Sequence, residues 1–303
     1  MSTTAVRSLR AHFALLSGAI VWGLIWYPYR LLAQAGIDGV TSSILTYLVA
    51  LSLGLLAFAW RRAWRGVVPS WWLVAIALAA GGCNIGYVLA TLEGEVMRVL
   101  LLFYLSPLWT VLLSRLLLDE RLGRLGAGVI ALSLAGAAVM LWRPEMGFPW
   151  PSVRAEWIGV AAGALFALAN VMIRKTPQLS IEVKSLAVFV GVAVIGFGLL
   201  ALGDEPQSRG LPLAPRTVGL LLGIGVVLLA INLIVQFGLT HTPANQAIVI
   251  FLFELVVAAV SSSLLAGEQM GPQEWVGGAM IVAASLFSGR VAEPARKAAP
   301  ASG

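Results

Sequence analysis

Along the chain, runs of about twenty apolar residues alternate with short polar connections. Ten runs can be counted, near 11–33, 41–60, 70–91, 98–118, 124–142, 156–174, 183–202, 216–239, 245–266 and 274–290. At about 1.5 Å of rise per residue, twenty helical residues span the roughly 30 Å hydrocarbon layer of a bilayer. Each run therefore predicts a transmembrane helix. The longest connections, 143–155 and 203–215, are too short for a soluble domain. The first run, preceded by Arg7 and Arg10, has an apolar core too long for a signal peptide and lacks an A-x-A-like cleavage site, so it reads as a retained span.

Composition agrees. The 303 residues are 59% hydrophobic and 11% charged, against about 25% charged in ordinary globular chains. There are too few charges to coat a soluble core, so the lipid bilayer is the expected environment. The net charge of +6 is spread singly between apolar runs, which argues against a nucleic-acid partner. Of the 20 Lys and Arg residues, 14 fall on the face shared by the N-terminus, the even-numbered connections and the C-terminus. The positive-inside rule then places both termini in the cytoplasm. The single cysteine, Cys83, lies within an apolar run, so there is no intrachain disulfide and no zinc spacing.

The sequence repeats. At an offset of 148, Asn84 falls on Asn232, Arg98 on Gln246, Ser106 on Glu254 and Glu120 on Glu268; over the first span, an offset of 145 pairs Gly18 with Gly163 and Arg30 with Lys175. Each repeat holds five spans. An odd number forces the second repeat, residues 143–303, to enter the membrane from the side opposite to the first, residues 1–142. Inverted repeats of this kind characterise secondary transporters, whose halves exchange conformations around a midplane site.

Both repeats close their fourth span in an acidic residue (LLLDERL at 116–122, LLAGEQM at 264–270) and follow it with a Gly-rich fifth span. Ten spans in two such repeats resemble the drug/metabolite transporter superfamily, and within it the EamA family and its bacterial aromatic amino-acid exporters. The resemblance covers about residues 11–290. It implies an all-α bundle of ten helices in the bacterial cytoplasmic membrane, exporting amino acids and related small metabolites by alternating access, without a cofactor. The second repeat departs from the first where Leu255 stands opposite Pro107, so the proline-shaped fourth helix need not recur.

Polar groups at bilayer depth are costly unless they face a cavity or a partner, which makes them site candidates. Glu254 is the one acidic residue near the middle of a span, two turns after Gln246 on the same face. It suits a proton or a substrate ammonium. Asn84 and Asn232 are related by the repeat, with Tyr87 and Gln236 a turn beyond them, and Asn170 lies deep in the sixth span. These amides suit a zwitterion and equally suit helix pairing. Gly18, Trp22, Trp26 and Tyr29 form one stripe along the first span. Trp22, at its centre, together with Tyr87 and Tyr104, suits an aromatic side chain or an ammonium group. Arg98, near the end of the fourth span opposite the N-terminal face, suits a carboxylate or snorkels to headgroups. The expected cavity is lined by the first, third, fourth, sixth, eighth and ninth spans, with the fifth and tenth peripheral.

The inventory argues against an enzyme. Asp38, Asp119 and Asp204 all lie in connections, and His12 and His241 stand in no H-E-x-x-H setting. No G-x-S-x-G nucleophile has a mid-span histidine beside it. None of the three lysines follows a glycine, which removes a Walker A loop and leaves gradients as the energy source. A broad-specificity drug or metabolite exporter is the alternative substrate reading, and a channel the alternative mechanism.

Overall fold

The structure, a computed structural model, describes residues 3–60, 70–147, 150–202, 214–267 and 269–291. Glu268, Arg61, Arg62, Arg65, Asp204, Arg209, Arg296 and Lys297, used above in the repeat, the charge count or the inventory, lie outside them.

The described residues form helices and no strand. The first repeat contains α1 (Thr3–Gln34), α2 (Gly39–Trp60), α3 (Trp71–Glu93), α4 (Val96–Phe103), α5 (Ser106–Leu118) and α6 (Arg124–Leu141). The second contains α7 (Arg154–Lys175), α8 (Ile181–Leu202), α9 (Pro215–His241), α10 (Ala244–Phe251), α11 (Phe253–Ala266) and α12 (Pro272–Leu286). Nine spans among the described residues are long and apolar enough to cross a membrane, with α4–α5 and α10–α11 each counting as one. The tenth, α12, has 15 residues and so rises only about 22 Å. It lies beside α6 at the edge of the bundle.

The repeat holds at atomic detail. α5 ends on Asp119 and α11 on Gly267, both left-handed (φ 55° and 71°), whose N–H groups bond the carbonyls of Ser114 and Ser262. Both residue pairs, Asp119 with Gly267 and Ser114 with Ser262, obey the offset of 148. Asp119 is the one non-glycine residue with positive φ among those described, a conformation that Asp tolerates better than most residues.

Both the fourth and ninth spans are broken. α4 stops at Phe103 and α5 begins at Ser106, because Pro107 has no N–H for the carbonyl one turn back. The expectation that this shape need not recur is corrected in part. α10 stops at Phe251 and α11 begins at Phe253 with no proline present, Leu252 and Leu255 instead bonding as a tight turn (Leu255 N–H to Leu252 C=O, 3.1 Å).

The two repeats interlock. α1 packs on α9, α10 and α11 of the second repeat, while α7 packs on α3, α4 and α5 of the first. Small residues permit the close approaches. A Cβ on Gly163 would lie 2.4 Å from the Phe103 carbonyl oxygen, and one on Gly191 would lie 1.9 Å from that of Ala77. Large apolar side chains such as Leu56, Leu78, Leu116 and Leu264 point outward, as expected of a surface solvated by lipid rather than water.

Candidate functional site

The two helix breaks meet at the centre of the bundle. Tyr104, the residue on which α4 ends, donates its hydroxyl proton to a carboxylate oxygen of Glu254 in the first turn of α11. The bond joins the repeats, since Glu254 stands opposite Ser106 in the offset alignment.

Around it is a shell of rings. Trp22 on α1 lies 5.2 Å from Phe251 and 6.5 Å from Phe166. Phe166 on α7 lies 5.8 Å from Phe251 and 5.7 Å from Phe103. Phe103 in turn lies 5.1 Å from Tyr87 and 5.3 Å from Tyr104. These are edge-to-face and tilted arrangements, in which ring edges meet ring faces favourably. Trp22, Tyr87, Phe166 and Glu254 are only half-buried, so the shell is not sealed.

Four of the eight candidate residues, Trp22, Tyr87, Tyr104 and Glu254, thus assemble in one cluster. Asn170 follows Phe166 by one turn on the same face of α7, is buried, and its Nδ2 has no hydrogen-bond partner in the protein. Asn84 on α3 donates to the Tyr47 hydroxyl at 3.1 Å and leaves its Oδ1 unpartnered. The remaining two bond to other partners. Asn232 accepts a long bond, 3.5 Å, from Gln236 on its own helix. Gln246 bonds His12 at 2.5 Å, and eight residues of helix place it about 12 Å from Glu254. Neither shares a hydrogen bond with the cluster, and the eighth span adds no ring to it.

Phe103, Phe166 and Phe251 were not among the candidates. A phenylalanine in an apolar run is indistinguishable by pattern from one facing lipid. A signal was nevertheless present, because Phe103 and Phe251 are partners at the offset of 148 and Phe166 shares a face with Asn170.

The two ends of the bundle are tied differently. At the end that carries Arg7, Glu120 accepts from the Ala244 N–H at 3.0 Å, where the first turn of α10 has unsatisfied donors, and Arg174 lies 3.8 Å away. Arg174 donates to the Thr240 carbonyl at 2.6 Å and Lys175 to that of Leu117 at 2.7 Å. Lys184, fully buried, donates to Thr240 Oγ1 at 2.6 Å and to the carbonyls of Ile173 and Thr176 near the end of α7. Together these ties close α5, α7, α8, α9 and α10 on one another. Burial raises the Glu120 pKa above the ordinary carboxylate value, against the lowering by the Ala244 N–H and Arg174. Arg7 reaches His241 at 2.5 Å.

At the opposite end Arg98 pairs with Glu156 at 2.5 Å and donates to the Trp150 carbonyl at 2.8 Å, holding α4 to α7. Arg143 on the other side pairs with Glu274 at 2.5 Å and joins α6 to α12. No group of three His, Cys, Asp or Glu side chains among the described residues is placed to hold a metal ion.

The model of the EamA-like transporter family matches residues 9–142 and again 153–290. An uncharacterized transporter of Pseudomonas aeruginosa is 25% identical over 218 residues, 68% of each chain. An uncharacterized transporter of Vibrio cholerae is 27% identical over 203 residues, which are 64% of this chain and 63% of that one. A protein of known crystal structure superposes with a TM-score of 0.72 over 92% of this chain and 96% of its own at 18% identity. That likeness shows the fold alone.

Proposed function

The chain belongs to the EamA-like transporter family, and we propose that it exports amino acids, aromatic ones included, and related small metabolites across the bacterial cytoplasmic membrane by alternating access. The observation that carries this reading is the Tyr104–Glu254 bond, set between two repeat-related helix breaks inside a shell of rings. Breaks at bilayer depth are tolerated where they line a site. A carboxylate there suits an ammonium group or a proton, and the rings suit an aromatic side chain.

In this reading Trp22, Phe103, Phe166 and Phe251 hold the side chain, Glu254 the amine, and Asn170 and Asn84 the substrate's remaining polar atoms. Asn232 and Gln246 belong to the wall and to the Arg7 end. That end is proposed to be cytoplasmic, by the charge bias of the connections. The conformation is then latched on the cytoplasmic side by Glu120, Arg174 and Lys184. Export requires the latch to open for loading and the Arg98 end to open for release.

The test is uptake of labelled phenylalanine into liposomes containing the purified protein, competed by a panel of amino acids and hydrophobic cations. Saturable uptake blocked by amino acids supports the reading. Folded protein that transports the cations but no amino acid moves the assignment to a broad-specificity exporter.

A further inference from the structure

Among the described residues, the Glu254 cluster holds one sign of charge. Among the described residues no ion pair involves Glu254; the pairs found are Arg98–Glu156, Arg143–Glu274 and Arg174–Glu120. Three basic side chains in or at the ends of the spans have other partners. Arg98 lies against Glu156 and the Trp150 carbonyl, Lys184 against Thr240 and two carbonyls of α7, and Lys175 against the Leu117 carbonyl. Two unpartnered polar atoms on helices that bear rings of the cluster are neutral: the Asn170 amide N–H on α7, one turn from Phe166 and 7% exposed, and the Asn84 carbonyl oxygen on α3, one turn from Tyr87.

We infer that the site reads the amine end of its substrate and not the acid end, so that protonated arylalkylamines and aromatic amino acids with a blocked carboxyl are its preferred ligands. An ammonium meets a carboxylate and ring faces, both attractive to a cation. A substrate carboxylate meets no cation among the described residues of the cluster, so it enters a low-dielectric site uncompensated and beside a like charge. The Asn170 amide does not repair this. An uncharged N–H donates to the carbonyl of an amide or ester as well as to a carboxylate, and so does not favour the acid.

The inference rests on the placing of the substrate at the Glu254 cluster, and not on amino acids being the substrates. The experiment is displacement of labelled phenylalanine, and separately of labelled phenethylamine, from the full-length protein by four ligands at one pH: phenylalanine, phenylalanine amide, phenethylamine and 3-phenylpropionate. Amide and amine should displace at about tenfold lower concentration than phenylalanine, and phenylpropionate should not displace. Glu254→Gln should erase that ranking, and Glu254→Asp should retain it in weakened form. Because the ranking is measured in the native protein, a variant that fails to fold does not decide the matter.

Phenylpropionate displacing as well as phenylalanine, or the amine and amide failing to compete while phenylalanine binds, overturns the inference and leaves the amino-acid reading standing. Binding of phenethylamine without binding of phenylalanine does the reverse. Folded protein that binds neither overturns both.

Discussion

At the scale of single residues, the account turns on the Tyr104–Glu254 pair. Tyr104→Phe keeps the ring and removes the donor, leaving the carboxylate with one bond fewer; the loss of a hydrogen bond to a charged group costs roughly 1.5–3 kcal/mol. Transport by this variant should fall by about tenfold or more, and the thermal unfolding temperature in detergent should fall by no more than the one lost bond accounts for, because the shell stays packed. Unchanged transport kinetics would remove the pair from the site. Phe166→Ala should be more severe, since Phe166 touches three rings of the cluster. Truncating a half-buried aromatic costs less than the roughly 3–5 kcal/mol of a fully buried one, and binding measurements should show the loss for aromatic ligands more than for small ones. Glu254 was visible in the sequence because a carboxyl in mid-span is rare. Phe166 was not, because an aromatic residue in an apolar run carries no mark of which way it faces until the neighbouring helices are placed.

Helices are the scale at which the pattern was most informative. All ten segments were legible from hydropathy, since twenty apolar residues leave little choice in a bilayer. The break at Phe251–Phe253 was not, because no proline marks it. Gly163 packs on the other break, at Phe103: a Cβ there would press on the carbonyl that Pro107 leaves without its usual donor. Gly163→Ala should push α7 from the α4 break and destabilise the fold by about 1–3 kcal/mol, read as a lower unfolding temperature. The same change at Gly219, where a Cβ meets open space, should be close to neutral.

The latch at the Arg7 end also belongs to this scale. Glu120→Ala removes a helix cap worth about 1 kcal/mol and so shifts a two-state equilibrium by about fivefold. The native Cys83, which packs in the central cluster beside Tyr87, is a ready reporter. Its labelling by an impermeant maleimide from the Arg7 side should rise by a similar factor. The pH dependence has a definite sign. Burial raises the Glu120 pKa in the latched state, so a proton binds more tightly there than in a state that solvates the carboxyl, and acidification favours the latch. Arg174 is the charged group facing Glu120 and opposes the shift without cancelling it. As pH falls through the window between the raised and the ordinary carboxylate values, Cys83 labelling from that side should fall relative to Glu120→Gln, which shares the thiol chemistry but cannot titrate.

For the whole molecule, the inverted repeat and the interlocking of α1 and α7 with opposite halves make a bundle that does not divide into two independent bodies. Its two ends are related by the repeat, yet here the ties on the Arg7 side span five helices. The repeat itself was legible in the sequence. Its consequence for packing was not, because an offset alignment says which residues correspond and not which half they touch. The central claim is that one carrier site is exposed to each side in turn. Counterflow tests it most directly: liposomes containing the protein are loaded with unlabelled phenylalanine or phenethylamine, diluted, and offered a trace of the labelled ligand. The account predicts transient accumulation of label above equilibrium, abolished by Glu254→Gln. Label that only equilibrates, at a rate indifferent to what was loaded inside, would contradict it and describe a channel instead.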